Sequence, residues 1–204
     1  MARWWTITIP SGYTDVTEEA KQAPQMAQVL QKTREKGGVL EMQLHQSADG
    51  ENLIVLDSTF RDMPVTKATL DGFEEGARGT SFGTGRQLTY HIDYTPTMVV
   101  GTQQTSAPDG TIVWHKRWTG FGKDEQLKSL AIGCTGTKET CQPIFDSVIV
   151  EPFQFKAVAS LAKGSSGGGD DTAYKIGQAV GVGLVCAIVL ALVARSRKKS
   201  AANR

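Results

Sequence analysis

Three histidines are the side chains of this chain with the widest chemical use, and each falls on the polar phase of a predicted strand: His45, His91 and His115. Imidazoles from three strands could meet on one face of a sheet and bind zinc. No His-x-His or His-x₃-His spacing supports such a site, and no cysteine is close to any of the three in sequence. The pattern therefore favours solvent-facing histidines, and no metal site is predicted.

Motifs for nucleophilic catalysis and for phosphate binding are weak. The chain has no Gly-x-Ser-x-Gly elbow. Its glycine-rich segment 76–85 lies between a predicted helix and a predicted strand, whereas a phosphate-binding loop leads from a strand into a helix N-terminus. No catalytic residue, cofactor-binding residue or cofactor is therefore predicted. Two arginines of this connection, Arg78 and Arg86, make it a candidate partner-binding loop.

The cysteines Cys134 and Cys141 leave two interpretations open. Cys134 ends a predicted strand, Cys141 opens the next short helix, and six residues separate them. Such a turn can bring two Cα atoms within the roughly 4.4–6.8 Å that a disulfide requires, and the bond would place the domain in an oxidising compartment. The alternative is a pair of reduced thiols, with that of Cys141 acidified by a helix N-terminus.

Strand patterns dominate the part of the chain that would position these residues. A hairpin is predicted from Leu40 to Phe60, with its turn at residues 48–52. The order β–α–ββ–α–ββββ–α–β predicts an α+β domain with a largely antiparallel sheet covered by helices. The strands are predicted at 4–9, 40–45, 53–60, 87–94, 98–104, 111–119, 125–133 and 148–155, and the helices begin near Pro24, Thr66 and Lys138.

Four features of the chain occur together. They are the turn Ile9-Pro10-Ser11-Gly12-Tyr13, the long hairpin, an aromatic-rich strand with Trp114 and Trp118 after an Asp-Gly turn, and the closing segment Ile144-Phe145-Asp146-Ser147-Val148. Together they resemble the PsbP-like fold, a family that includes the extrinsic PsbP subunit of photosystem II and a Ran-GTPase-binding nuclear-transport factor. The resemblance covers residues 3–155.

This resemblance implies a PsbP-like sandwich of sheet and helices, and a mostly non-enzymatic protein that binds a partner, often a membrane complex or its assembly intermediates. The family supplies no catalytic residues to carry over. Its typical members are soluble or held by an N-terminal lipid, so the C-terminal segment of this chain departs from the family pattern.

That C-terminal segment is an uncharged run from Ile176 to Ala194, followed by a basic tail at 195–204. Nineteen helical residues span about 29 Å, the thickness of a bilayer's hydrocarbon core. The predicted organisation is a domain at 1–158, a flexible Gly/Ser-rich linker at 159–175, a transmembrane helix at 176–194 and the basic tail. Within the span, Gly177 and Gly181 form a possible face for homodimerisation.

Charge and topology give conflicting indications of where the domain lies. Five of the 22 Lys and Arg residues follow Ala194, and the rest of the chain carries 17 against 21 Asp and Glu residues. A mildly acidic domain argues against nucleic-acid binding. A basic tail inside the cell would put the domain outside, but the first residues contain no export signal. A tail anchor with a cytoplasmic domain is slightly favoured.

The residues Trp114, Lys116 and Trp118 share one face of a predicted strand, opposite Val113, His115 and Arg117. The two tryptophans either pack under a helix or form an exposed binding surface with the lysine between them; packing is favoured.

The function predicted from these features is that of an adaptor or assembly factor which captures an unidentified protein partner near the bilayer, without enzymatic activity. One alternative is a carrier of a small apolar ligand, with an elongated cavity between helix and sheet. The other is a membrane-proximal enzyme, with His91 beside Asp93 and a second carboxylate across the sheet.

Overall fold

A seven-stranded antiparallel sheet forms the centre of the computed structural model, which describes residues 3–79, 86–106, 110–158 and 172–178. Its strand order is β2-β3-β4-β8-β7-β6-β5, and a separate two-stranded sheet joins β1 to β9. The strands are β1 (Trp5–Thr6), β2 (Tyr13–Asp15), β3 (Gly38–Ser47), β4 (Asn52–Phe60), β5 (Arg86–Tyr94), β6 (Met98–Ser106), β7 (Ile112–Phe121), β8 (Leu127–Thr135) and β9 (Ile149–Val150).

Helices cover both faces of the large sheet. They are α1 (Thr17–Lys21), α2 (Pro24–Glu35), α3 (Lys67–Gly79), α4 (Lys138–Asp146) and α5 (residues 172–178), with a 3₁₀ turn at Pro152–Gln154. The α3 face is the sheet face on which α2 and α3 pack, for example through Met26 and Phe73. The α4 face is the opposite one, and its core includes Trp4 and Trp5 near β1 and Ile144 of α4. The predicted α+β class is confirmed.

Local signals fix two of these helices where the sequence predicted them. Pro24 is the first residue of α2, a position where its missing N–H removes no helical hydrogen bond. Thr66 caps α3, because its hydroxyl accepts a hydrogen bond from the N–H of Thr69 at 3.2 Å. Gly37 follows α2 with φ of 71°, a left-handed conformation that favours glycine, and the chain turns there into β3.

The predicted hairpin is confirmed as β3 and β4, which pair from Gly38↔Phe60 to Gln46↔Asn52. Two short elements were missed, namely β2 and α1. Asp15 ends β2 and its carboxylate accepts a hydrogen bond from the N–H of Thr17 at 2.8 Å, which starts α1. Elements of three and five residues are too short for a periodic pattern to show.

The predicted first and last strands are largely wrong. In these two segments the strands are only Trp5–Thr6 and Ile149–Val150, which pair with each other outside the large sheet, and Phe155 forms an isolated bridge with Gly122. Pro152 has no N–H to donate, and the chain turns there through a 3₁₀ helix instead of continuing as a strand. Trp5 nevertheless attaches this pair to the large sheet, since its indole N–H donates to Asp57 on β4 at 2.6 Å.

Much of the predicted C-terminal organisation lies outside the described residues. In the part of the chain that the structure describes, no helix has the length and apolar character needed to cross a membrane. The predicted span is described only at 176–178, where it belongs to α5, and α5 begins four residues before the predicted start of the span. Residues 80–85, 159–171 and the basic tail are not among those described.

Candidate binding surface

The open sheet face is the part of the α4 face that β5, β6 and β7 form; among the described residues it is exposed along β5 and passes into the core at β7. Helix α4 packs on β7 and β8. On the edge strand β5, the side chains of Thr89, His91 and Asp93 are exposed. Strand pairing arranges nine residues of this open sheet face in three rows, which are Trp114–Gln104–Thr89, Lys116–Thr102–His91 and Trp118–Val100–Asp93.

The sequence left two interpretations of Trp114 and Trp118, packed under a helix or exposed, and in the structure the two residues differ. Trp118 is 8% exposed and belongs to the core of the α4 face, as the packing interpretation predicted. Trp114 is half-buried, and its indole N–H donates to the carbonyl oxygen of Gly136 at 3.2 Å. The ring of Trp114 is therefore held in place at the boundary between the core and the open sheet face.

Lys116 lies between these two rings and is half-buried. Its ammonium group is 5.1 Å from the centroid of the Trp118 ring, within range of a cation–π interaction. Its neighbour across β6 is Thr102, and His91 follows on β5. The lysine thus places a positive charge, in cation–π contact with an aromatic ring, in the middle row of the open sheet face.

His91 and Asp93 form an exposed pair on β5, with Nε2 of His91 3.0 Å from Oδ1 of Asp93. The enzyme hypothesis requires a second carboxylate across the sheet. Among the described residues, Asp93 is the only acidic side chain that β5, β6 and β7 place on this face. No group of three metal-binding side chains occurs in the described part of the chain. The two side chains are 71% and 62% exposed, so the pair can form hydrogen bonds with a partner at the surface.

The prediction of solvent-facing histidines is wrong for two of the three. His45 and His115 are 8% and 2% exposed. His115 lies on the α3 face beside Gln103 and Arg117, where burial, and secondarily the charge of Arg117, lowers its pKa well below the usual value. Alternation correctly predicted that His115 and Trp114 point to opposite faces of β7, but it could not show that α3 covers the face with His115.

Helix α3 is attached to the sheet by a buried ion pair that the sequence did not reveal. Arg117 on β7 donates from Nε to Glu74 at 3.3 Å and from a terminal nitrogen to the other carboxylate oxygen. Tyr90 on β5 donates to the same carboxylate at 3.3 Å, and burial followed by the Glu74 charge raises the pKa of Tyr90. Gly101 leaves the space for Glu74, because a Cβ there would overlap its carboxylate.

The candidate partner-binding loop is partly helix. Arg78 lies in the last turn of α3, where its guanidinium stacks 4.7 Å from the centroid of the Tyr90 ring and lies 3.5 Å from the Glu75 carboxylate. Arg86 is the first residue of β5 and pairs with Ser106. Residues 80–85, which join them, are outside the described part, so their role in partner binding stays a prediction.

The two cysteines are bonded to each other and fully buried. Cys134 on β8 and Cys141 on α4 have Cα atoms 5.8 Å apart. Thr137 caps α4, accepting a hydrogen bond from the N–H of Thr140 at 3.3 Å, and this cap positions Cys141 in the first turn over β8. The disulfide therefore joins α4 directly to the sheet, next to the open sheet face.

A concave region lies at the far end of the sheet, between α1 and β3. It is an open cleft of about 700 Å³ whose lining includes Asp15, Glu18, Lys21 and Met42. Its charged groups interact with one another, since Lys21 lies 2.7 Å from Glu18. The hydroxyl and N–H of Thr17 also lower the pKa of Asp15. A polar, open lining of this kind does not resemble the enclosed apolar cavity of a lipid or small-ligand carrier.

Comparisons with known proteins give a structural similarity but no match in sequence. No protein-family model matches the chain, and no curated protein matches it. Among solved structures, the chain is similar to the solution structure of cyanobacterial PsbP (CyanoP) from Synechocystis sp. PCC 6803, with 12% sequence identity. The match covers 72% of this chain and 86% of that one at a TM-score of 0.42. The similarity is thus to the family that the sequence resembles, and at this TM-score membership stays a prediction.

Proposed function

We propose that this protein is a non-enzymatic binding domain, tethered to a membrane by its C-terminal segment, that captures a protein partner through the open sheet face. The observation that carries the proposal is a pair of adjacent rows of that face, in which the half-buried Trp114 and Lys116 on β7 lead to the exposed Thr89 and His91 on β5. Tryptophan is among the residues that most often dominate binding energy at protein interfaces. The charge of Lys116 and the polar groups beside it can supply electrostatic complementarity and hydrogen bonds around that ring.

The charge of this face indicates what the partner presents. Lys116 is positive, and Asp93 is the single described acidic residue of the face, already engaged by His91. A partner with a carboxylate opposite Lys116 and an apolar group against Trp114 would complement it. The Ran binding of one family member is not carried over to this chain.

The disulfide supports a location for the domain. A bond between the buried Cys134 and Cys141 is maintained in oxidising compartments and is rare where thiols are kept reduced. We therefore place the domain on the extracytoplasmic side, with the basic tail of the predicted span inside. This differs from the tail anchor with a cytoplasmic domain that the sequence pattern slightly favours. Protease treatment of membrane vesicles whose cytoplasmic side faces outward tests this location. We expect the domain to be protected in intact vesicles and to be cleaved only after the vesicles are opened.

Partner capture is tested by a photocrosslinking amino acid at Thr89, an exposed residue of the open sheet face, in the full-length protein expressed in its own cells. Gln28, exposed on α2, is the matched control position. We expect a discrete adduct from position 89 and none from position 28. The same adduct from both positions, or none from position 89, would contradict the proposal.

A further inference from the structure

Helix α5 packs on α3 through glycines, with the two backbones in direct contact. A methyl group in place of Gly72 would overlap the carbonyl oxygen of Tyr174, and one in place of Gly76 would overlap that of Gln178. From the other side, a methyl group at Gly177 would overlap the carbonyl oxygen of Thr69. No side chain fits between the helices at any of these three points.

The contact is extensive for so short a helix. Ala173 and Thr69 are fully buried. Because Gly72 meets Tyr174 and Gly76 meets Gln178, the two helices run in the same direction. Glycine in a helix interior is destabilising relative to alanine, so its presence at both positions of α3 needs a packing reason, and α5 provides one. Four-residue spacing of small residues permits such close approach of two helices.

Gly177 was predicted to belong to a dimerisation face of the membrane span. In the structure it contacts α3 of its own domain. The other side of α3 packs on the sheet through Leu70 and Phe73, which are fully buried. Helix α3 is therefore enclosed between the sheet and the segment that leads to the predicted span.

We propose that α3 is the docking site for this juxtamembrane helix, and that α5 held on Gly72 and Gly76 fixes the orientation of the domain at the membrane. The docked helix lies on the α3 side of the sheet, whereas Trp114 and Lys116 lie on the opposite side. The chain thus leaves for the membrane from the side away from the open sheet face, which leaves that face accessible to a partner. This orientation rests on the proposed membrane tether and binding surface; the docking itself does not.

The test uses the full chain in lipid nanodiscs and three alanine variants. Gly76→Ala and Gly177→Ala each place a methyl group against the opposing backbone, one from each helix. Gly12→Ala is the matched control, because nothing lies within 4 Å of a Cβ there. The measurement is tryptic cleavage after Lys175 relative to cleavage after Lys163, quantified by mass spectrometry. Docked α5 resists cleavage at Lys175, since proteolysis requires local opening.

We expect both Gly76→Ala and Gly177→Ala to raise cleavage after Lys175, relative to cleavage after Lys163, by on the order of tenfold over the wild type. Gly12→Ala should give the same relative cleavage as the wild type. Circular dichroism should show an intact domain, and Gly177→Ala remains informative if Gly76→Ala alters α3. Wild-type cleavage as fast as in both variants would overturn the docking. The photocrosslinking yield at Thr89 is measured separately. No crosslink at Thr89, in a protein whose Lys175 is protected from trypsin as expected, would overturn the binding surface and leave the docking standing.

Discussion

Glu74 and Arg117 form a buried ion pair across the interface between α3 and the sheet, with each side chain 1% exposed. The arginine donates to both carboxylate oxygens, and the tyrosine hydroxyl of Tyr90 donates to one of them. Such a pair contributes little net stability compared with apolar residues of the same volume, but losing one partner leaves a buried charge without compensation. It makes the position of α3, and hence of the α5 docking site, sensitive to single substitutions.

We therefore expect Glu74→Ala to lower the free energy of unfolding by about 3–5 kcal/mol. The double variant Glu74→Leu with Arg117→Met should recover most of that loss, since it removes both charges together. Urea unfolding followed by tryptophan fluorescence measures both effects. If the single variant is as stable as the wild type, the ion pair is not buried as described.

A second prediction concerns the pH dependence of stability. The pKa of buried His115 is lowered in the folded state, so below its unfolded value of about 6.5 the unfolded chain binds a proton that the folded chain does not. Stability conferred by the neutral imidazole is therefore fully present above that pH and is lost as the pH falls. Asp57 acts in the opposite sense, because burial raises its pKa.

Comparison with His115→Gln isolates the contribution of His115 to the pH dependence of stability, since Asp57 is common to both proteins. Between about pH 6 and 5, the wild type should lose up to about 1.4 kcal/mol more per pH unit than the variant. Unfolding curves at intervals across this range provide the measurement. Parallel profiles for the two proteins would show that His115 is able to protonate in the folded state.

The sequence predicted best where a pattern extends over many residues. The hairpin of β3 and β4 and the helix starts at Pro24 and Thr66 follow from alternation and capping, which are local properties. The ion pair of Glu74 with Arg117 joins residues 43 positions apart. No local pattern identifies which helix covers which face of a strand, and for this reason His115 was wrongly predicted to face solvent.

For the open sheet face, the sequence supplied the residues but not their exposure. Alternation grouped Trp114, Lys116 and Trp118 correctly on one side of β7. It could not show that Trp118 lies in the core while Trp114 stands at its boundary, because that distinction depends on where α4 packs. The glycines of α3 carried a detectable signal, a four-residue spacing in a predicted helix, but the segment that they contact is about 100 residues later in the chain.

The disulfide leads to a third prediction. A bridge across six intervening residues restricts the unfolded chain and should contribute about 2 kcal/mol of stability. Reductant should therefore lower the free energy of unfolding of the wild type by this amount. The double variant Cys134→Ala with Cys141→Ala should show no response to reductant. If the wild type does not respond either, and both thiols react with an alkylating reagent after denaturation, the domain does not carry the bond.

The last prediction separates binding from folding at the open sheet face. Lys116→Glu reverses the charge in the middle row, opposite the carboxylate that we propose for the partner. We expect a fall of about tenfold or more in the photocrosslinking yield at Thr89, since loss of a charge pair at an interface costs on the order of 1.4 kcal/mol or more. Lys116 is half-buried at the edge of the core, so the free energy of unfolding should change by less than about 1 kcal/mol.

Lys32→Glu, on the exposed side of α2, is the matched control for this change because it alters the net charge equally and lies on the opposite side of the sheet, on a helix that packs on β3. It should leave the crosslinking yield unchanged. An equal fall for both variants would show that the partner responds to overall charge and not to this face. A fall for Lys116→Glu alone requires a local contact, because the two proteins carry the same net charge and differ only in where the substitution lies.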